Sequence, residues 1–109
     1  MGTLTYGSTG LQIELDDRVL THLQVVIVAK LRRGEGFPFT WRDPESTGDG
    51  RGSIWLHSSI PLYFKYDSHD SPKINRTWLE ILTISSNTAA GLRVVEEPAE
   101  QDPPARILA

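Results

Sequence analysis

The fold is decided by DDRVLTHLQVVIVAKLRRGEG, residues 16–36, which carries the start, body and end signals of one long helix. Asp16 and Asp17 can accept hydrogen bonds from the first turn, and both favour the positive end of the helix dipole. Basic residues close the stretch, and Gly34 can adopt the left-handed conformation that ends many helices. At about 100° per residue, one broad apolar stripe is predicted to face a sheet: Val19, Leu20, Leu23, Val26, Ile27 and Leu31.

The same helix carries a second ridge on its opposite side. Its members follow the helical spacings i, i+4, i+7 and i+11: Thr21, Val25, Val28 and Arg32. A helix buried on one face only should not carry two valines there, so the ridge predicts a second cover. A second copy of the chain, packed helix to helix, would provide that cover in a homodimer. The alternative cover is the C-terminal tail, through Ile107 and Leu108.

Short β-prone runs surround this helix, and a second helix follows them. Ser71 is predicted as the N-cap of that helix and Pro72 as its first residue. Its predicted buried face consists of Ile74, Trp78, Ile81, Leu82 and Ser85. The predicted order is β-β-α-β-β-β-α-β, which indicates an α+β fold with a mainly antiparallel, twisted sheet and both helices on one face. Residues 1–96 are predicted to form a single domain, and residues 97–109, rich in proline and acids, a disordered tail.

Composition excludes several classes of function. The net charge of −3 disfavours a protein whose main task is to grip nucleic-acid backbone. The chain has no cysteine, which removes disulfides, thiolate nucleophiles and cysteine-based metal sites. The opening residues lack the basic and apolar regions of a signal peptide. The longest apolar run, residues 25–29, is far short of the roughly 20 residues of a membrane span. A cytoplasmic protein without membrane contact is therefore expected.

One hypothesis gathers six residues into a ligand or phosphate site: Lys30, Arg32, Arg33, Trp55, His57 and Arg76. Arginine offers bidentate geometry for phosphate, and an exposed tryptophan can stack a base. The alternative is structural: the cations complement the C-terminal end of the helix, and His57 has a structural or exposed role. His22 is expected at the boundary of the apolar stripe.

Metal and catalytic chemistry find little support in the sequence. Asp67, His69 and Asp70 are potential ligands, but three in one short loop rarely make a metal site unaided. No catalytic residue, metal site or cofactor is predicted.

Four stretches carry a resemblance to a known family: MGTLTYG at residues 1–7, AKLRRGE at 29–35, WLHSSIPL at 55–62 and GLR at 91–93. Over roughly residues 1–97 the chain resembles a small, largely uncharacterised actinobacterial family of about this length. Many members of that family carry the label "ATP-dependent DNA ligase". The resemblance therefore implies a link to nucleic acid.

The ligase label can be compared with the chemistry it requires. Such a ligase stores AMP on the lysine of a Lys-x-Asp-Gly motif, and the nearest stretch here is Thr47-Gly48-Asp49-Gly50. Threonine cannot form the phosphoramide, and the chain is too short for a self-sufficient ligase. The sequence therefore favours a small, dimeric, non-catalytic binding or interaction module. The alternative is a nucleic-acid-associated protein or an accessory fragment linked to DNA ligation.

Overall fold

The structure is a computed structural model that describes residues 1–43 and 50–101. Its elements, in chain order, are β1 (Gly2–Tyr6), β2 (Leu11–Leu15), α1 (Asp17–Arg32), β3 (Phe37–Arg42), β4 (Arg51–Leu56), β5 (Leu62–Lys65), α2 (Arg76–Ser86) and β6 (Leu92–Arg93). The predicted α+β class and the predicted order of elements are confirmed.

The strands divide into two three-stranded sheets, where a single sheet was predicted. In the first sheet, β1 lies between β2 and β5 and is antiparallel to both. In the second sheet, β3 lies between β4, which is antiparallel to it, and β6, which is parallel to it. The pairings β1–β5 and β3–β6 join strands far apart in the chain, so no local pattern could specify them. The Tyr6 hydroxyl bridges the two sheets by donating to the carbonyl of Trp55 at 2.6 Å.

The helix α1 ends as its sequence predicts. Gly34 has a φ of +75°, in the left-handed region that favours glycine. The N–H groups of Gly34 and Glu35 donate to the carbonyls of Leu31 and Lys30, the two bonds of a Schellman motif. At the other end, Asp16 is the N-cap but makes no side-chain cap hydrogen bond. The Asp17 carboxylate instead accepts from the backbone N–H groups of residues 67 and 68, which lowers its pKa and fixes the chain beyond β5 against α1.

One core joins both sheets and both helices. The predicted stripe of α1 supplies four of its fully or almost fully buried side chains: Leu20, Leu23, Val26 and Ile27. The first sheet contributes Leu4 and Ile13, and the second contributes Phe39 and Leu56. Val19 and Leu31 lie at the margin of this core, partly buried.

The start of α2 was predicted wrongly. The N-cap is Asn75, four residues after Ser71, and its side chain accepts a hydrogen bond from the N–H of Trp78. A tertiary contact selects this start, because the N–H of Asn75 itself donates to the buried imidazole of His22. Ile81 was predicted in the buried face but is 38% exposed, whereas Trp78 and Leu82 are buried as predicted.

The first residues of the predicted tail contact the helices. Glu97 forms an ion pair with Arg18, and its carboxylate also accepts from the side-chain amide of Asn75. Glu100 accepts from the first N–H of α2, at Arg76. The boundary predicted at residue 96 therefore falls just before a segment, residues 97–101, that hydrogen-bonds to both helices. The rest of the predicted tail, including Ile107 and Leu108, lies outside the described residues.

Candidate functional site

The outer face of α1 carries the predicted second ridge, and its two valines face outward. Val25 is 44% exposed and Val28 is 37% exposed, although the inner side of the same helix is fully buried. The ridge, with Gln24 and Ala29, borders an open depression of about 530 Å³ that runs along the helix. The structure thus brings together the four residues of the predicted dimer surface and leaves their valines without a full cover among the described residues.

Two polar side chains of α1, His22 and Lys30, are buried and contact α2 or its C-cap. His22, expected at a boundary, is fully buried, and its ring lies 4.5 Å from that of Trp78. Its Nε2 accepts from the backbone N–H of Asn75 at 2.9 Å. A backbone N–H can only donate, so the imidazole must carry its proton on Nδ1, which donates to the carbonyl of Arg18 at 2.7 Å. The Nδ1 contact orients the ring within α1, and the Nε2 contact holds the start of α2 against that helix.

At the basic end of α1, a buried lysine and an exposed arginine form ion pairs with the same glutamate, Glu35. Lys30 is only 4% exposed, and its ammonium donates to Asn87 Oδ1 at 2.6 Å and pairs with Glu35 at 3.0 Å. Exposed Arg33 pairs with the other oxygen of Glu35 at 2.9 Å. The hydrogen bond from Lys30, aided by the charge of Arg33, lowers the pKa of Glu35. Lys30 is therefore occupied by contacts within the chain, while Arg32 makes no ion pair with a described residue.

The predicted phosphate-binding residues are only partly brought together. Trp55 lies next to the loop that follows α1, since a Cβ atom on Gly36 would collide with its indole ring. Trp55 is 53% exposed, and the imidazole of His57 hydrogen-bonds to the hydroxyl of Ser59. Arg76 lies at the opposite end of the helix pair, because Asn75 contacts His22 whereas Lys30 contacts Asn87. The six residues therefore do not line one site.

A different basic site lies at the far end of β3. Arg42 and Arg51 are opposite each other in the β3–β4 ladder, and Arg93 of β6 is opposite Thr40 of β3. Side chains of opposite residues lie on the same face of a sheet, so three neighbouring strands each contribute one arginine to one face. The three arginines also border an open cavity of about 600 Å³, whose other described lining residues are Leu15, Thr40, Trp41, Gly50 and Val94.

Sequence reasoning missed this arginine cavity for a topological reason. Arg42 and Arg51 flank the polar stretch between β3 and β4, and a hairpin reading of that stretch could have paired them. Arg93 comes much later in the chain, and only the parallel pairing of β6 with β3 places it beside them. A two-residue strand carries too little pattern to predict that pairing.

Other candidate chemistries can be checked within residues 1–43 and 50–101. No group of three histidine, aspartate or glutamate side chains there is arranged to hold a metal ion. In the same ranges, no helix is both long and apolar enough to cross a membrane. Thr47, which stands where a ligase would have its lysine, lies outside the described residues.

Comparison with known proteins assigns the chain to a family. Residues 1–97 match the model of a family described as Domain of unknown function (DUF7882). The chain belongs to this family. The match confirms the resemblance to a small family, and its description names no activity, so the ligase label remains a prediction. No curated protein and no solved structure gives a significant match.

Proposed function

We propose that this domain is a non-catalytic interaction module that acts as a homodimer through the outer face of α1. The observation that carries the proposal is the exposure of Val25 and Val28 on a helix whose other sides are covered by the core and by α2. Exposed apolar side chains in one contiguous ridge are typical of an interaction surface, whereas scattered ones are ordinary.

The spacing of the ridge suits a two-fold contact with a second copy. An axis that crosses α1 midway between Val25 and Val28 sets Val25 of one chain against Val28 of the other. The same axis sets Thr21 against Arg32, so that a hydroxyl oxygen meets a guanidinium donor. Because a two-fold interface uses the same patch twice, this self-complementary order favours a second copy over an unrelated partner.

Light scattering over a range of protein concentrations tests the dimer. We expect the mass of two chains for the natural sequence and of one chain for the double variant Val25→Glu plus Val28→Glu. The matched control is Ile81→Glu plus Ile84→Glu, which makes the same change on exposed residues of α2 and should leave the dimer intact. A monomer at tens of micromolar, or equal loss of the dimer in both double variants, would contradict the proposal.

Association with nucleic acid is the second candidate function, and the position of Trp55 favours it. The exposed indole lies against Gly36, which follows the end of α1 where Arg32 and Arg33 are exposed and Arg33 pairs with Glu35. A base could stack on the indole while the arginines contact phosphate. This candidate includes the link to DNA ligation that the family resemblance implies, and like the dimer it is proposed for a cytoplasmic protein.

Two measurements test this second candidate. Fluorescence anisotropy with a labelled single-stranded oligonucleotide at low salt should detect binding that Arg32→Ala plus Arg33→Ala weakens and added salt abolishes. Absence of binding by the natural sequence would remove the candidate. Incubation with labelled ATP addresses the ligase link separately, because a covalent adenylate on the chain would make it an enzyme and overturn the non-catalytic assignment.

A further inference from the structure

The second sheet has a core face and an exposed face. Phe39, Leu56 and Leu92, one from each strand, are buried on the core face. Because successive side chains of a strand alternate, the residues between them point outward. The pairings arrange these outward residues in three rows across the strands: Pro38 and Trp55; Thr40, Ser53 and Arg93; Arg42 and Arg51. All four outward residues of the edge strands, β4 and β6, are exposed.

The first row provides an aromatic platform. Trp55 is the most exposed of the three tryptophans, at 53%, whereas Trp78 is buried. Its indole packs against the backbone of Gly36, where a Cβ atom would come within 2.6 Å of the ring. Beside it, the ring of Pro38 is bordered by Gly91, where a Cβ atom would come within 2.4 Å of the proline. The row therefore presents two rings side by side, and a base can stack on the exposed indole.

The other two rows carry arginines, and none of their residues is acidic. Arg51 and Arg93 form no ion pair or side-chain hydrogen bond with any residue in 1–43 or 50–101. Arg42 has an interaction within the chain, so it is not counted as a free cation. Asp43, which follows it, accepts from the indole N–H of Trp41 on the core side of the sheet, at 3.2 Å. Because salt screens charges beyond about 8–10 Å, a phosphate on the exposed face responds to Arg51 and Arg93 more than to the net charge of −3.

From these three rows we infer that the exposed face of the second sheet binds a single strand of nucleic acid. A base stacks on Trp55, and phosphates of the same strand meet the forked N–H donors of Arg51 and Arg93. Between them, the Thr40 hydroxyl donates to Ser53 Oγ at 3.0 Å, which leaves the Ser53 hydroxyl to donate to a sugar or phosphate oxygen. Trp55 and Arg51 are four residues apart on β4, about 13 Å at about 3.3 Å per residue. A strand of several nucleotides spans this separation better than one nucleotide does.

This site rests on the second candidate function, association with nucleic acid, and extends it. A strand that passes Trp55 beside the end of α1 can continue over β4, β3 and β6, away from Arg32 and Arg33. An acidic peptide would meet the same cations, but the aromatic platform favours a ligand that carries planar rings along a charged backbone. The sheet thus gives the strand a path that variants of its own residues can test separately from variants of α1.

Fluorescence anisotropy of a labelled twelve-residue oligothymidylate with the full chain tests this path. Arg51→Gln plus Arg93→Gln should weaken binding at least about tenfold. The same variant should lower the slope of log affinity against log salt by about 1.4, because each phosphate contact with a single strand contributes about 0.7. Trp55→Leu should weaken binding about tenfold but leave that slope unchanged, because stacking releases no counterions. All three residues are exposed, and an unchanged amide NMR spectrum verifies that each variant is folded.

The matched control is Lys73→Gln plus Arg76→Gln, which removes two exposed cations near the start of α2. That helix packs on the core side of the second sheet, so binding should stay within about twofold of that of the natural chain. Equal weakening by the control and by Arg51→Gln plus Arg93→Gln would overturn the inference, since it would indicate a general charge effect.

The remaining outcomes separate this site from the second candidate function. Absence of oligonucleotide binding by the natural chain would remove both. Weakening by Arg32→Ala plus Arg33→Ala, with none by Arg51→Gln plus Arg93→Gln, would keep the candidate function and overturn the path over the sheet. Thymidine monophosphate that binds as tightly as the oligonucleotide would overturn the strand as the ligand. A twelve-residue glutamate peptide that competes equally well would replace the nucleic acid by an acidic peptide.

Discussion

Two regions of α1 depart from the usual distribution, one by burying polar side chains and the other by exposing apolar ones. Toward α2, the imidazole of His22 and the ammonium of Lys30 are buried, and each has partners of defined geometry. Toward the outside, Val25 and Val28 are exposed and belong to no core. This difference indicates that the side facing α2 and the outer side have different roles. Buried polar groups fix how the second helix docks, whereas an exposed apolar ridge stabilises the structure only when something covers it.

The largest expected difference in the free energy of unfolding is between a substitution on the core side of α1 and one on its outer side. Leu23→Ala should lower the free energy of unfolding by about 2–5 kcal/mol, because it leaves a cavity in a fully buried site. Val25→Ala, two residues away, should change the stability of the monomer by no more than about 0.5 kcal/mol. Urea denaturation at concentrations below dimer formation measures both. A loss for Val25→Ala as large as that for Leu23→Ala would mean that the ridge is already covered in the free chain.

A smaller effect should distinguish the two cations that share Glu35. Lys30→Met keeps the apolar stem but removes the buried ammonium from Asn87 and Glu35, at an expected cost of about 1.5–3 kcal/mol. Arg33→Met removes the exposed partner of the same acid and should cost about 0–1 kcal/mol. If both variants lost the same free energy of unfolding in urea denaturation, burial of Lys30 would add nothing to the stabilisation that its contacts provide.

The smallest expected effect is a pH-dependent change in the free energy of unfolding. It concerns residues 97–101, which contact both helices. The ion pair with Arg18, helped by the amide of Asn75, lowers the pKa of Glu97 from 4.5 to about 2. A carboxyl with a lowered pKa stabilises the folded state above its unfolded pKa, and this contribution is lost as the pH falls from about 4.5 through about 2.

Comparison of the natural chain with Glu97→Gln measures this contribution. The difference between their unfolding free energies should be constant near neutral pH and shrink as the medium becomes more acidic than the unfolded pKa. Glu80→Gln is the matched control, since Glu80 is exposed on α2 and makes no ion pair with a described residue. A difference for Glu97→Gln that does not change with pH would show that the contact with Arg18 does not persist in solution.

Sequence by itself determined the elements in which the chemistry is local. The extent of α1 follows from the acidic start and from Gly34, because a Schellman motif needs only neighbouring residues and a left-handed glycine. The hairpin of β1 and β2 follows from alternation around a glycine-rich turn. The two-sided character of α1 was also readable, since helical spacing alone separates Val25 and Val28 from the core stripe.

Only the tertiary structure decided the start of α2, the division into two sheets and the arginine cavity. Ser71 and Pro72 have the local signature of a helix start, yet Asn75 is the cap because its N–H is paired with a histidine from the other helix. Arg93 reaches Arg42 and Arg51 only through the parallel pairing of β6 with β3. The physical reason is common to all three. Contacts between residues distant in the chain depend on closing the whole core, and periodicity and capping report only on the residues beside them.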